Sequence, residues 1–69
     1  MKNNIKVERA INSLTQAQLA EKINVTRQTV NAIELGKYNP SATLALKIAH
    51  IFNKKVDDVF ALEESDWEK

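Results

Sequence analysis

The chain has 69 residues, of which 43% are hydrophobic and 28% are charged, with no cysteine and one histidine. A chain of this length forms one small domain with a modest core, and the absence of cysteine excludes disulfides, thiolate metal sites and a cysteine nucleophile. No apolar run approaches the roughly 18 residues of a membrane span, and the N-terminus lacks the apolar segment of a signal peptide. We therefore expect a soluble cytoplasmic protein.

The net charge of +1 hides an uneven distribution along the chain. Residues 1–55 contain nine Lys or Arg and three acids, a net +6, whereas residues 56–69 contain one Lys and six acids, a net −5. A basic body can approach phosphates while an acidic end faces away from them. Ordinary solvated surfaces show such patterns too, so charge alone leaves both interpretations open.

The first predicted helix follows Asn4, a residue type that often caps helix N-termini. Apolar residues then recur at the i, i+3, i+4, i+7 spacing of a helix with one apolar face. They are Val7, Ala10, Ile11 and Leu14. We expect this face to pack into the core.

The second and third helices have clear boundary signals. Thr15 is followed three residues later by Gln18, a capping-box pairing that begins the second helix. Thr26 caps the third helix, and Gly36 ends it at the position where a left-handed residue is usual. A three-residue turn, Asn24-Val25-Thr26, separates the two helices.

The two helices have the spacing of a helix-turn-helix. Ala20 lies where they would cross and only a small side chain fits, while Val30 and Ile33 point back to the core. The opposite face of the third helix could then enter a major groove. It carries Arg27, Gln28, Asn31 and Ala32.

The remaining pattern predicts two more helices and an acidic end. Ser41 offers an N-cap after Pro40 for a fourth helix that runs to about Phe52. A single helical turn follows at residues 56–60, and residues 61–62 continue as a strand. The charged composition of residues 63–69 predicts a loosely ordered acidic tail, with Trp67 packed on the body or on a partner subunit.

These motifs resemble those of the Cro/C1-type (XRE family) helix-turn-helix regulators, especially the short stand-alone members. The resemblance covers residues 4–62 and rests on TQ at 15–16, LA at 19–20, VTRQTV at 25–30, IE at 33–34 and GKYNPS at 36–41. It implies an all-α, five-helix, lambda-repressor-like domain over residues 1–62, followed by the acidic tail. In the short members a small antiparallel sheet joins the termini, which here would pair residues 2–3 with 61–62. Glu8 departs from the family pattern, and we expect Val7 to replace it in the core.

The resemblance also implies a transcriptional regulator, most simply a repressor that binds a palindromic operator as a homodimer. Arg27 can pair with guanine and Gln28 with adenine, and the Ala32 methyl can contact a thymine methyl beside Asn31. The residues expected at phosphates are Gln16, Thr26, Thr29, Lys37, Tyr38 and Asn39. The residues expected in the dimer interface are Ile51, Phe52, Val59, Phe60 and Leu62.

Several of these residues also have structural interpretations. Gln16 and Thr26 suit helix caps, and the ring of Tyr38 can pack on the fourth helix while its hydroxyl reaches a phosphate. Glu34 is expected to pair with Arg9 inside the domain. His50 has no second ligand at metal-binding spacing, so a surface histidine is favoured over a metal site.

Two classes of function remain open. The first is the DNA-binding regulator, and the second is a protein-interaction module, such as an antitoxin-like partner that also autoregulates. An enzyme is excluded because the chain has no nucleophile-base pair, metal cluster or glycine-rich phosphate loop. We expect no cofactor, metal or small-molecule ligand, and the expected partners are double-stranded DNA and a second copy of the chain.

Overall fold

The computed structural model describes residues 1–68, in which five helices lie between two short strands. The helices are α1 (Ile5–Ile11), α2 (Gln16–Lys22), α3 (Arg27–Glu34), α4 (Ala42–Ile51) and α5 (Val56–Val59). Strands β1 (Lys2–Asn3) and β2 (Phe60–Ala61) pair antiparallel, with Lys2 opposite Ala61 and Asn3 opposite Phe60. The predicted all-α fold with a sheet between the termini is confirmed, although β2 begins one residue earlier than expected.

Three helices begin at the hydroxyl caps that the sequence predicts. The side chains of Thr15, Thr26 and Ser41 accept the backbone N–H three residues later, at 3.0, 3.2 and 3.2 Å. The Gln18 side chain in turn accepts the Thr15 backbone N–H at 2.9 Å, which completes the capping box. These bonds satisfy N–H groups that would otherwise have no partner within the helix.

Four helices end in the same way, with one residue in the left-handed conformation. Their φ values are +55° at Ser13, +59° at Asn24, +75° at Gly36 and +54° at Asn53. After α3, Lys37 N–H donates to the Ala32 carbonyl and Gly36 N–H to the Ile33 carbonyl, at 2.9 and 3.0 Å. This is the Schellman arrangement, and its equivalents close α1, α2 and α4. Gly36 has the residue type most typical of this position and Asn24 and Asn53 have the next most typical, whereas Ser13 gives no such signal.

The orientation of α1 differs from the sequence prediction. Val7 and Ile11 are 58% and 68% exposed, whereas Glu8 is 8% exposed and Ile5 is fully buried. The prediction that Val7 replaces Glu8 in the core is therefore wrong. Asn4 lies at the N-cap position but makes no side-chain cap bond, and the Ile5 N–H instead donates to the Asn3 side chain at 3.2 Å.

The core lies between the helices and is closed at one side by the sheet. Ala20 is buried at the α2/α3 crossing, as its small size predicts. The other buried hydrophobic residues are Ile5, Leu19, Ile23, Val30, Ile33, Ile48, Ala49, Phe52, Val59 and Phe60. The helices of residues 1–68 are all too short, or too polar, to cross a bilayer.

The residues after β2 are more ordered than their composition predicts. A 3-10 turn spans Glu64–Trp67, and the Asp66 side chain accepts the Glu63 backbone N–H at 2.7 Å. This hydrogen bond, together with the Met1 amine, lowers the pKa of Asp66. The amine lies 3.1 Å from both Asp66 and Glu63, which raise its pKa. Trp67 is 76% exposed, so the expected packing on its own domain does not occur.

Candidate nucleic-acid interface

The outer face of α3 carries the side chains expected to read bases. Val30 and Ile33 are buried beneath it, and their burial fixes the rotation of the helix. Arg27, Gln28 and Asn31 are consequently exposed on the opposite side, with Ala32 half-buried at the edge of the face. Two long polar side chains and one short one are thus available on a single helical surface.

Gln16, at the start of α2, contacts this face directly. Its Nε2 atom donates to Asn31 Oδ1 at 3.0 Å and to Glu34 Oε1 at 3.3 Å. The exposed Asn31 amide can still donate through Nδ2 and accept through the second lone pair of Oδ1. The expected phosphate contact and one expected base contact therefore belong to one hydrogen-bonded group.

A bidentate ion pair lies behind that group and joins α1 to α3. Arg9 Nε and Nη2 donate to the two carboxylate oxygens of Glu34 at 2.7 and 3.0 Å, which confirms the predicted pairing. Arg9 Nη1 also donates to the Leu14 carbonyl at 3.0 Å. The side chains are only 15% and 7% exposed, and the hydrogen bonds to Glu34 raise the pKa of Arg9. Arg9 remains charged throughout the physiological pH range.

Asn3 positions the other end of α3, and sequence reasoning missed it. Its Nδ2 atom donates to the Ile33 carbonyl at 2.9 Å, in the last turn of the helix. The same carbonyl accepts the Gly36 N–H at 3.0 Å, so Asn3 provides its second hydrogen bond and joins β1 to the end of α3. No local signal identifies this role, since Asn3 lies 30 residues from Ile33 in the chain.

Apart from Gln16, the residues expected at phosphates lie at the two ends of α3. At its start the Thr26 hydroxyl oxygen accepts the Thr29 backbone N–H at 3.2 Å, which confirms the capping interpretation of Thr26. The Thr26 and Thr29 hydroxyl oxygens are 3.0 Å apart. The loop after α3 holds Lys37, Tyr38 and Asn39, all exposed. In the sequence, the first group lies at the start of α3 and the second group follows its end.

The structure separates the expected dimer residues into two groups. Phe52, Val59 and Phe60 are buried in the core of the protomer and have almost no surface to offer a partner. Ile51 is half-buried and Leu62 is 60% exposed. Only these last two keep substantial surface for contact with another chain.

Comparisons with known proteins agree with this architecture. The sequence model of the helix-turn-helix family matches residues 5–59. An uncharacterized HTH-type transcriptional regulator of Methanocaldococcus jannaschii is 52% identical over 96% of this chain and 100% of its own length. The uncharacterized HTH-type transcriptional regulator YgzD of Bacillus subtilis is 53% identical over the same shares.

A solved structure shows the same fold. The clp gene regulator ClgR of Corynebacterium glutamicum superposes with a TM-score of 0.73 at 26% identity, over 78% of this chain and 57% of that chain. The hydroxyl caps of α2 and α3 and the exposed polar face of α3 are also features of a helix-turn-helix. The chain belongs to the Cro/C1-type (XRE) helix-turn-helix family of DNA-binding transcriptional regulators.

Proposed function

We propose that the protein is a repressor that binds a palindromic operator as a homodimer, with α3 of each copy in the major groove. A single α3 contacts too few bases for useful specificity, so two copies related by a twofold axis would read matching half-sites. The half-sites would lie about one helical turn apart, roughly 34 Å. Occupation of a promoter by this dimer would block the polymerase.

The observation that carries the proposal is the exposed face of α3 with Gln16 bonded to Asn31. Arg27 has the fork geometry that pairs with guanine O6 and N7, and Gln28 can pair with adenine N6 and N7. Asn31, whose Oδ1 atom accepts one hydrogen bond from Gln16, would present its Nδ2 donor or the second lone pair of Oδ1 to a base edge. Ala32 would contact a thymine methyl.

The proposed phosphate contacts come from the start of α2 and from both ends of α3. Gln16 begins α2, Thr26 and Thr29 lie at the start of α3, and all three would bind phosphates. Lys37, Tyr38 and Asn39, in the loop after α3, would bind phosphates as well. In the free protein the Gln16 amide already donates to Asn31 and Glu34, so a phosphate oxygen would replace the longer bond, to Glu34 at 3.3 Å. Contacts of this kind orient the domain without reading sequence.

The first experiment is selection of bound sequences from a random DNA pool by the purified protein. We expect an inverted repeat whose half-sites are centred 10 to 11 base pairs apart. A single asymmetric site, or no enriched sequence, would contradict the proposed operator. A reporter placed behind the selected sequence then tests repression.

Substitutions distinguish residues that contact bases from residues that contact the phosphate backbone of DNA. Arg27→Ala or Gln28→Ala should cost about 1–3 kcal/mol on the operator and little on random DNA. Lys37→Ala should weaken both and reduce the salt dependence of binding. Lys6→Ala, an exposed lysine on α1, is the matched control for loss of one positive charge. Equal losses on operator and random DNA for Arg27→Ala would contradict its assignment to a base.

A further inference from the structure

A groove between the end of α2 and the outer side of α4 has no partner in the protomer. Its volume is about 660 Å³, and its apolar walls include Ile23, Leu46 and Ile51. Leu46 is 61% exposed although it lies in the middle of a helix. Lys22, Lys47 and His50 surround these apolar residues. We call this surface the α2/α4 groove.

The second unpartnered feature is the acidic turn, defined as residues 63–68. Trp67 is 76% exposed on it, more than any other large hydrophobic residue of the described chain. Glu64 and Glu68 flank Trp67 and are exposed as well. An aromatic side chain that gains stability from burial thus stands among acids that would favour a basic surface.

We propose that the α2/α4 groove receives the acidic turn of a second copy of this chain. Trp67 would cover Leu46 and Ile51, and the neighbouring acids would lie beside Lys22 and Lys47. The apolar wall matches the indole, and the basic rim matches the carboxylates. A twofold axis would form the contact twice, once in each direction.

The protomer favours exchange between copies over closure within one chain. The turn is held next to its own strand β2, because Asp66 bonds the Glu63 backbone and both side chains contact the Met1 amine. In that arrangement Trp67 lies in solvent and the α2/α4 groove stays open. A second copy can supply the occupant without breaking the hydrogen bonds that hold the turn.

The expected contact is small. A tryptophan buries about 150–250 Å², so two exchanged tryptophans and the facing walls would bury roughly 800 Å², below the usual size of a stable interface. We expect a dimer whose dissociation constant is in the micromolar range and which is stabilised when both copies bind DNA. The inference rests on the homodimer of the proposed function and assigns the surface that holds it.

The chain has one tryptophan and one tyrosine, so fluorescence excited at wavelengths that tyrosine does not absorb reports on Trp67 alone. We expect its emission to shift to shorter wavelength as protein concentration rises, in parallel with dimer formation measured by sedimentation. Leu46→Ser and Trp67→Ala should each weaken dimerisation about tenfold or more. Val7→Ser, which removes an equally exposed apolar side chain from α1, is the control and should leave dimerisation unchanged.

Charge reversal tests the acidic part of the contact. Lys22→Glu with Lys47→Glu should weaken the dimer, as should Glu64→Lys with Glu68→Lys, because both contacts of each variant's homodimer then join like charges. A mixture of the two double variants should recover most of the affinity, because both contacts of the mixed dimer again join opposite charges. Equal dimerisation in all of these samples would overturn the electrostatic part of the contact.

Other outcomes locate the failure. If Trp67 emission is at short wavelength at every protein concentration, Trp67 is buried in the groove of its own chain, and the exchange between copies is wrong. A stable dimer whose Trp67 remains exposed, or that tolerates Leu46→Ser, would overturn this inference and leave the proposed homodimer standing. A monomer at tens of micromolar that also binds DNA as a monomer would overturn both.

Discussion

Helices α1 and α3 are both short and amphipathic, but only α3 has the orientation that its apolar pattern predicts. In α3, Val30 and Ile33 are buried and the polar residues face outward. In α1, the apolar Val7 and Ile11 are exposed, and the charged Glu8 is buried instead. The difference shows that apolar spacing decides the buried face of a helix only when no stronger contact competes with it.

The competing contact in α1 is the ion pair to α3. Successive residues are rotated by about 100° around a helix, so Arg9 lies on the same side as Ile5 and nearly opposite to Val7. When Arg9 donates to Glu34 and to the Leu14 carbonyl, Ile5 is turned into the core. Val7 is turned into solvent by the same rotation. A bidentate pair with little exposure thus determines the orientation of the helix.

The largest expected effect follows from removal of this ion pair. Arg9→Ala removes the positive partner of the Glu34 carboxylate, which is 7% exposed in the intact pair, and leaves it only the hydrogen bond from Gln16. We expect a loss of about 3 kcal/mol in the free energy of unfolding, measured by urea denaturation. The double variant with Met at positions 9 and 34 removes both charges and should recover most of that loss. If Arg9→Ala proves too unstable to study, Glu34→Gln offers a milder break. A loss below about 0.5 kcal/mol, the range of ordinary surface substitutions, would contradict this explanation.

Local signals in the sequence predicted most of the fold and less of the contacts behind the candidate site. The caps at Thr15, Thr26 and Ser41 and the left-handed Gly36 depend on neighbours within a few residues, so their chemistry is legible in the sequence. The bond from Asn3 to Ile33 is different, because it joins distant parts of the chain and appears only once the helices are placed.

The same limit explains why Gln16 was predicted at a phosphate without its bond to Asn31. A pattern of residue types reports which side chains share a helix face, but not which atoms of two helices meet. The burial of Phe52, Val59 and Phe60 was likewise hidden, since an apolar residue near a chain end can serve the core or an interface equally well. The assignment of base and phosphate contacts stays a prediction.

A smaller loss of stability is expected from a pair of valine substitutions that test which face of α1 and of α3 is buried. Val30→Ala in α3 removes buried methyl groups and should cost about 2 kcal/mol, through lost burial and a residual cavity. Val7→Ala in α1 removes the same atoms from a side chain that is 58% exposed and should change the free energy of unfolding by less than about 0.5 kcal/mol. Thermal and urea unfolding of the two variants provide the measurement. Equal losses would show that α1 is rotated differently in solution.

The smallest expected effect is a gain, at the buried acid of α1. Among residues 1–68, Glu8 Oε1 has no hydrogen-bond partner although the side chain is buried. A buried polar atom without a partner costs free energy, and an apolar side chain of similar length avoids that cost. Glu8→Leu should therefore raise the free energy of unfolding by about 1 kcal/mol, seen as a higher urea midpoint with an unchanged slope. Glu21→Leu, at an exposed position of α2, controls for the loss of one negative charge and should show no such gain. A destabilised Glu8→Leu variant would indicate that the carboxylate makes a favourable contact and that α1 is held by more than Ile5 and Arg9.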